Sequence, residues 1–285
     1  MSSGEEKNRT EGGTLYLVAT PIGNLADLSE RAVKVLAEVD FIAAEDTRNS
    51  GKLLHLLGID KPFFTYFEHN KAEAGPKIAE RLKAGQSCAL VTDAGTPAVS
   101  DPGADLVKLC VSEGIPVTAV PGCCAAVNAL VLSGLDTRRF LFEGFLEGNE
   151  NAKRARLEEL AGQSVTLIFY EAPHRLRETL ALMREALGAS RRIALCREMT
   201  KLNEEIFRTD LDGACAYYGE NEPRGEYVLI VEGRKRDDKP FFEEMTVREH
   251  VAFYEAAGMS RMDAMKAAAR DRGVGKGQIY KEMLE

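Results

Sequence analysis

Cys88-Ala-Leu-Val-Thr-Asp-Ala-Gly-Thr-Pro-Ala-Val-Ser-Asp-Pro-Gly103 opens on an apolar run and closes on a loop rich in glycine and proline. The same order recurs at Thr14-Leu-Tyr-Leu-Val-Ala-Thr-Pro-Ile-Gly-Asn24 and at Val117-Thr-Ala-Val-Pro-Gly-Cys-Cys124. Short β-branched runs bounded by turn residues read as buried strands. Helical patterns lie between them, so the expected fold class is α/β, built from βαβ units around a parallel sheet. Loops at the carboxyl ends of parallel strands gather along one edge, where α/β proteins bind ligands. Glycine and proline bring few reactive side chains but let the main chain approach closely. The expected site is therefore a pocket for a nucleoside-sized ligand gripped by peptide N–H and C=O groups.

Outward from these strands, a first α/β domain is expected over 13–136, behind a polar, disordered tail at 1–12. Asp27-Leu-Ser-Glu30 has capping-box spacing, with Val33, Leu36 and Ala37 on one face of the helix that follows. Phe41-Ile-Ala-Ala44 reads as a strand, and Gly51–Leu57 and Gly75–Lys83 as helices that stop at Gly58 and Gly85. A second α/β domain is expected over 137–236. Its strand candidates are Phe140–Leu146, Val165–Tyr170, Arg192–Cys196 and Tyr227–Val231, with a helix over Leu176–Leu187. The charged stretch Arg234-Lys-Arg-Asp-Asp-Lys239 before Pro240 reads as a linker. Residues 237–285 form a small helical segment, with capping-box spacing at Thr246-Val-Arg-Glu249 and Ser260-Arg-Met-Asp263 and stops at Gly258 and Gly273. It reads as a helical appendage, a helix-turn-helix DNA reader being the alternative.

A chain of 285 residues is long enough for two such domains. No run approaches the ~20 apolar residues that cross a bilayer, and the polar start lacks a signal-peptide core. A cytoplasmic protein without membrane contact is expected. The net charge of −8 argues against indiscriminate nucleic-acid binding. It leaves room for local patches at Arg138-Arg139, at Lys153-Arg154 with Arg156, and at His174-Arg175 with Arg177. The six cysteines include no Cys-x-x-Cys pair, so neither a metal site nor a disulfide framework is expected. Cys88, Cys110 and Cys196 read as buried, inert thiols. Neither Gly-x-Gly-x-x-Gly nor a P-loop pattern is present, which weakens the dinucleotide and NTPase readings.

Charged residues crowd several strand ends. Ala44-Glu-Asp-Thr-Arg48 follows one strand, Tyr170-Glu-Ala-Pro-His-Arg175 another, and Arg197-Glu-Met-Thr-Lys201 a third, with Glu204 and Glu205 close behind. Any one of these is explained by surface ion pairs. Three of them, spread over both blocks, point to an inter-domain cleft that reads a polar or anionic substrate.

Taken in order, Thr20-Pro-Ile-Gly-Asn-Leu25, Ala44–Arg48, Thr92-Asp-Ala-Gly-Thr-Pro97, Val120-Pro-Gly122, Phe142-Glu-Gly-Phe-Leu146, Tyr170–Arg175 and Arg197–Lys201 closely resemble a known family. It is the branch of the tetrapyrrole methylase superfamily that modifies small-subunit ribosomal RNA, and the resemblance covers nearly the whole chain from Gly13. It implies two α/β domains with S-adenosyl-L-methionine in the cleft between them, and a homodimer. It further implies 2′-O-methylation of a cytidine in the decoding region of 16S ribosomal RNA, in the 30S subunit. Carried over by motif, cofactor contacts fall at Pro21, Ile22 and Gly23, at Asp93, Gly95, Thr96, Pro97 and Val99, and at Gly122, Cys123 and Cys124. Tyr170 and Glu171 form the other wall, and Gly225-Glu-Tyr-Val228 adds to it. Two positions depart from the family pattern: Cys123-Cys124 after Pro-Gly, and Glu147 where proline is common.

A ribose 2′-hydroxyl is a weak nucleophile and gains from a nearby proton acceptor. Glu45 or Glu171 is expected to take or orient that proton, with Lys201 beside them. Asp46, Arg48, His174, Arg175 and Arg197 are expected to meet RNA phosphates and ribose together with Lys201. An inter-domain salt-bridge network would use the same residues. Three rival functions stay open. They are thiolate addition by Cys123 or Cys124 to a pyrimidine ring, C-methylation of a corrin or porphyrin, and a small-subunit assembly factor that binds RNA without catalysis.

Overall fold

A computed structural model describes residues 9–234, 242 and 245–284. Strands β1 (Leu15–Val18), β2 (Phe41–Ala44), β3 (Phe63–Thr65), β4 (Cys88–Val91) and β5 (Val117–Val120) form an all-parallel sheet in the order β3-β2-β4-β1-β5. Such strands are covered on both faces, which is why β2 and β4 are uninterrupted apolar runs. Helices α1 (Glu30–Glu38) and α2 (Thr47–Leu56) pack on one face through Val35, Leu36 and Leu54. On the other face, α3 (Lys71–Lys83) and α4 (Ala104–Ser112) pack through Ile78, Leu82 and Leu106. β1 runs between β4 and β5. The three Gly/Pro loops are therefore neighbours.

The start of α1 differs from the sequence expectation. Ser29, not Asp27, is the N-cap and accepts from Ala32 N at 3.1 Å, while Asp27 closes a single 3-10 turn. The buried face is Ala32, Val35, Leu36 and Val39, and Ala37 is exposed. Moving the cap moves the buried stripe with it. Of the expected tail, residues 1–8 lie outside the described residues. From Thr10 on the chain is tied down, because the Thr10 hydroxyl donates to Glu38 at 2.7 Å and Glu11 N to the Tyr16 hydroxyl at 2.7 Å.

A second sheet comprises β6 (Phe140–Phe145), β7 (Thr166–Glu171), β8 (Arg192–Arg197), β9 (Glu205–Asp210) and β10 (Tyr227–Val231), in the order β6-β7-β10-β8-β9. Only β6 and β7 pair in parallel; the other pairs are antiparallel. Strand β9 escapes sequence reading because it is a charged, half-exposed edge, where apolar periodicity fades. Helices α6 (Glu150–Ala161), α7 (Leu176–Leu187) and α8 (Leu211–Glu220) bury one face of this sheet through Leu157, Leu180 and Leu211. The other face is covered by α5 (Ala125–Ser133), whose Ala126, Ala129 and Leu130 pack on Ile168, Ala194 and Ile230. Although α5 precedes Asp136 in the chain, it packs with the second sheet.

Both sheets belong to one compact unit that ends at Arg234, and residues from Lys235 form another. The expected linker from Lys235 to Pro240 lies outside the described residues. The second unit holds α9 (Val247–Ala256), α10 (Arg261–Asp271) and α11 (Lys276–Leu284) around Val251, Ala264, Ala268 and Ile279. Thr246 and Glu249 make a reciprocal capping box, and Gly258 and Gly273 sit at helix stops with φ of 92° and 64°. Among the described residues no helix is long and apolar enough to cross a membrane.

The position of the α1 cap is directly testable. Ser29→Ala should cost ~1 kcal/mol in urea denaturation, while Asp27→Ala should leave the midpoint within error.

Candidate functional site

Hydrogen bonds stitch the loops after β1, β4 and β5 into one surface. Thr20 N donates to Gly95 O at 2.9 Å, and Gly95 N returns to Thr20 O at 3.1 Å. Thr96 Oγ1 donates to the Cys123 carbonyl at 2.9 Å. Gly122 passes Ala19 so closely that a β-carbon there would stand 2.9 Å from Ala19 Cβ. Glycine is required at that crossing.

Among the described residues, four that are not glycine hold left-handed backbone: Ala98 (φ 68°), Ser100 (φ 61°), Glu198 (φ 48°) and Thr200 (φ 66°). Such conformations cost of order 1 kcal/mol or more each and cluster where a site over-determines the chain. Two lie in the loop after β4 and two in the turn after β8. Both segments line one cavity of about 260 Å³. From the first sheet it takes Ile22, Gly95, Thr96, Val99, Ser100 and Asp101; from the second, Phe145, Tyr170, Glu171, Met199, Lys201, Glu226 and Val228. Cys124 and Ala125, at the start of α5, close its floor. A more open hollow of about 470 Å³ shares Ile22 and Met199 and adds Asp27, Gly122, Cys123, Asn128, Thr200 and Glu204.

The second-sheet wall is braced from behind. The Tyr170 hydroxyl accepts from Ala126 N at 3.2 Å, and burial pushes its phenol up to about 12, so it stays neutral. Glu171 is buried with both oxygens engaged. Oε1 accepts from Ala172 N at 2.8 Å and faces Arg175 Nε at 3.4 Å, while Oε2 accepts from Thr179 Oγ1 at 2.5 Å. Arg175 also donates to the Leu146 carbonyl, next to Phe145. Lys201 Nζ sits between Glu198 and Glu226, 2.9 Å from each. Burial opposes its charge, but the two carboxylates outweigh that and hold its pKa above the ordinary lysine value.

The first-sheet wall is acidic. Burial, then Glu45 and Asp93, push Asp101 up to about 6. Burial, Asp93 and Asp46 raise Glu45 as well. Asp93 accepts from Asn49 Nδ2 at 3.0 Å. Asp46 caps α2 and takes the Arg48 guanidinium on both oxygens, at 3.1 and 2.8 Å, which holds it down to about 2.

Seven residues expected to touch the cofactor line the cavity: Ile22, Gly95, Thr96, Val99, Cys124, Tyr170 and Glu171. Gly122 and Cys123 line the neighbouring hollow. Pro21, Gly23, Asp93 and Pro97 lie in the same loops but in neither lining. Among the expected catalytic residues, Glu171 and Lys201 line the cavity, while Glu45 stands outside the lining and acts on Asp101 through its charge. The expected substrate-binding set does not converge there. Arg48 and His174 are exposed, Asp46 is spent on Arg48, and Arg175 on Glu171 and Leu146. Arg197 donates to Asn203 O at 3.3 Å and lies 3.5 Å from Glu205. The Cys123 thiol donates to Asp27 O at 3.7 Å, and burial raises its pKa, which disfavours the thiolate that ring addition needs. Sequence reading missed Asp101, whose Asp-Pro-Gly setting looks like an ordinary turn. It missed Phe145 too.

Residues 14–215 match the family of tetrapyrrole (corrin/porphyrin) methylases. A Synechocystis protein named ribosomal RNA small subunit methyltransferase I is 44% identical over 273 residues, 96% of this chain and 98% of its own. A Bacillus subtilis protein of the same name is 45% identical over 276 residues, 95% of this chain and 94% of its own. This chain belongs to the tetrapyrrole methylases, in the ribosomal RNA small subunit methyltransferase I family. It is accordingly an S-adenosylmethionine-dependent methyltransferase. A crystal structure of uroporphyrin-III C-methyltransferase from Thermus thermophilus, complexed with S-adenosylhomocysteine, shares the fold. Its TM-score is 0.54 at 20% identity, covering 77% of this chain and 97% of that one. Among the described residues no group of three or more His, Cys, Asp or Glu side chains is arranged to hold a metal.

The two walls generate separate tests. Arg175→Ala leaves the buried Glu171 carboxylate without its cation and the Leu146 carbonyl without its donor. Such losses cost ~3–5 kcal/mol when fully buried, and with Arg175 partly exposed about 2 kcal/mol is expected in thermal or urea denaturation. Asp101 supplies a pH-dependent test. Its folded pKa of about 6 lies above the ordinary aspartate value, so the folded chain keeps a proton that the unfolded chain has released. Its contribution to stability therefore falls as pH rises from about 4 to about 6, and is flat above that. The difference in urea midpoint between Asp101→Asn and the parent should grow in the variant's favour across that window.

Proposed function

We propose that this cavity holds S-adenosylmethionine and that the chain methylates the 2′-hydroxyl of a cytidine in the decoding region of 16S ribosomal RNA, within the 30S subunit. The observation that carries the reading is the cavity itself, built on stitched peptide loops and walled by both sheets. Ile22, Val99 and Tyr170 offer flat apolar surface to a nucleoside base. The close crossing at Gly122 and the left-handed turn at Gly95 (φ 82°) let peptide groups reach its polar edges. Asp101, with Glu45 and Asp93 behind it, sets negative charge beside a cavity suited to a cationic ligand. When bound, S-adenosylmethionine supplies a methyl carbon open to attack in line with its bond to sulfur.

The chain's part is alignment and exclusion of water. Pro21, Ile22 and Gly23, with Asp93–Val99 and Gly122–Cys124, hold one side of the donor, and Tyr170 and Glu171 close the other. Fixing two reactants in line supplies much of the acceleration in such a displacement. Glu171, with both oxygens already engaged, serves as an anchor for Arg175. Glu45 tunes the acidic wall. Lys201, held between Glu198 and Glu226, offers an N–H donor to a ribose oxygen, and the exposed Arg48 and His174 meet the RNA backbone outside the cavity. The relatives' shared ribosomal name supports RNA over a macrocycle, since the macrocycle methylases join this chain by fold at 20% identity. A homodimer belongs to the same reading. It is supported by the apolar outer face of α5, where Val127 and Val131 are exposed, and by the fully exposed Leu202.

Calorimetry should show one molecule of S-adenosylmethionine or S-adenosylhomocysteine bound per chain. Tritium from labelled donor should pass to unmethylated 30S subunits and leave one ribose linkage resistant to alkali. No heat with either ligand would sink the cavity assignment, and label found in a base would sink the ribose assignment.

A further inference from the structure

The mouth of the cavity is built where the two sheets touch. Strand β6 carries a bulge at Glu143, so that Phe142 pairs with Ile168 but Gly144 with Phe169 and Phe145 with Tyr170. A bulge re-aims the side chains beyond it. Phe145 consequently returns to the side of Phe142, and both rings meet Tyr170 edge-on, with centroids at 5.6 and 5.2 Å. Gly144 (φ 76°) presses against the loop after β4, where a β-carbon would stand 2.6 Å from Ser100 Oγ. That contact brings Phe145 and Asp101, the residue after Ser100, into the lining of the same cavity. The bulge is clamped, since Arg156 takes both Glu143 oxygens at 2.6 and 2.8 Å.

Phe145 is 42% exposed although it lines a cavity and rests on the half-buried Tyr170. A large aromatic held half-open on a rigid strand is the platform on which an unstacked base settles. Asp101 shares that cavity lining, with acidic neighbours and, among the described residues, no ion pair to a cation. Glu45 after β2 and Asp93 after β4 bear on it electrostatically, and Asp101 in turn bears on Tyr170 of β7. A carboxylate so placed keeps its affinity for a proton near neutral pH, as a base requires.

We propose that this mouth is the acceptor-nucleoside site, in which Phe145 stacks on the target base and Asp101 takes the proton from the ribose 2′-hydroxyl. The assignment rests on the donor-cavity reading above. As the ribose oxygen forms its bond to the methyl carbon, the carbon–sulfur bond gives its electron pair to sulfur, and the hydroxyl proton passes to Asp101. The positive charge on sulfur and the negative charge on Asp101 are lost together. Lys201 and Glu171, on the opposite wall, take no proton in this step.

Asp101→Asn, Phe145→Ala and Phe145→Tyr separate the roles. All three should keep the parent's circular dichroism and unfold cooperatively in urea, which shows that they fold, and transfer is compared at saturating donor. Asp101→Asn should bind unmethylated 30S subunits normally but slow single-turnover transfer by about 100-fold or more. The parent rate should rise with pH up to about 6 and level off, and this limb should vanish in Asp101→Asn. Phe145→Ala should weaken binding of 30S subunits about 10-fold, measured without donor, and Phe145→Tyr should restore it. Asp101→Asn with near-parental turnover and an unchanged acid limb overturns the proton role; parental 30S binding by Phe145→Ala overturns the platform. A parent chain that binds no S-adenosylhomocysteine overturns the donor-cavity reading beneath both.

Discussion

The paired hydrogen bonds between Thr20 and Gly95 are the constraint on which the rest of the site depends. They form because β1 lies between β4 and β5, so the loops leaving these strands emerge side by side. Thr96 extends the seam to Cys123, and Gly122 closes it against Ala19. With three loops locked by their own peptide groups, little freedom remains for the backbone between them. Ala98 and Ser100 are held left-handed there, and a free loop would not keep them so. The strain is sustained by the sheet beneath.

The second sheet supplies the opposite wall by a different device. It uses side chains rather than peptide groups: Glu171 inside the fold, Arg175 on it, and the Leu146 carbonyl beyond. A buried carboxylate is costly unless every oxygen is satisfied. Here Thr179, Ala172 and Arg175 satisfy it, so Glu171 braces the wall. The converse holds for Asp101. It receives burial and like charges instead of donors, and keeps proton affinity at the price of stability.

Much of the frame was legible in the sequence. Apolar runs marked β2 and β10 to the residue and the start of β4, and helix α7 fell within its expected bounds, because burial on both faces leaves an unmistakable pattern. Edges were harder. β3 has three residues and β9 alternates charge with half-burial, so neither carries a strong periodic signal. The cap of α1 was misplaced because Asp27 and Ser29 are both good acceptors, and which one faces an open N–H depends on the turn before them.

For the site, the glycines and prolines after β1, β4 and β5 announced a peptide-lined edge, since the ends of parallel strands gather on one side of a sheet; that β1 lies between β4 and β5, which makes the three loops neighbours, came from the fold. The sequence also determined which charged residues stand at strand ends. Only the tertiary structure decided which of those charges are spent on each other and which remain for chemistry. Glu171 and Arg175 look as available as Asp101 when written in a line. Whether a carboxylate is satisfied depends on what folds against it from distant parts of the chain, and that is a property of packing rather than of any motif.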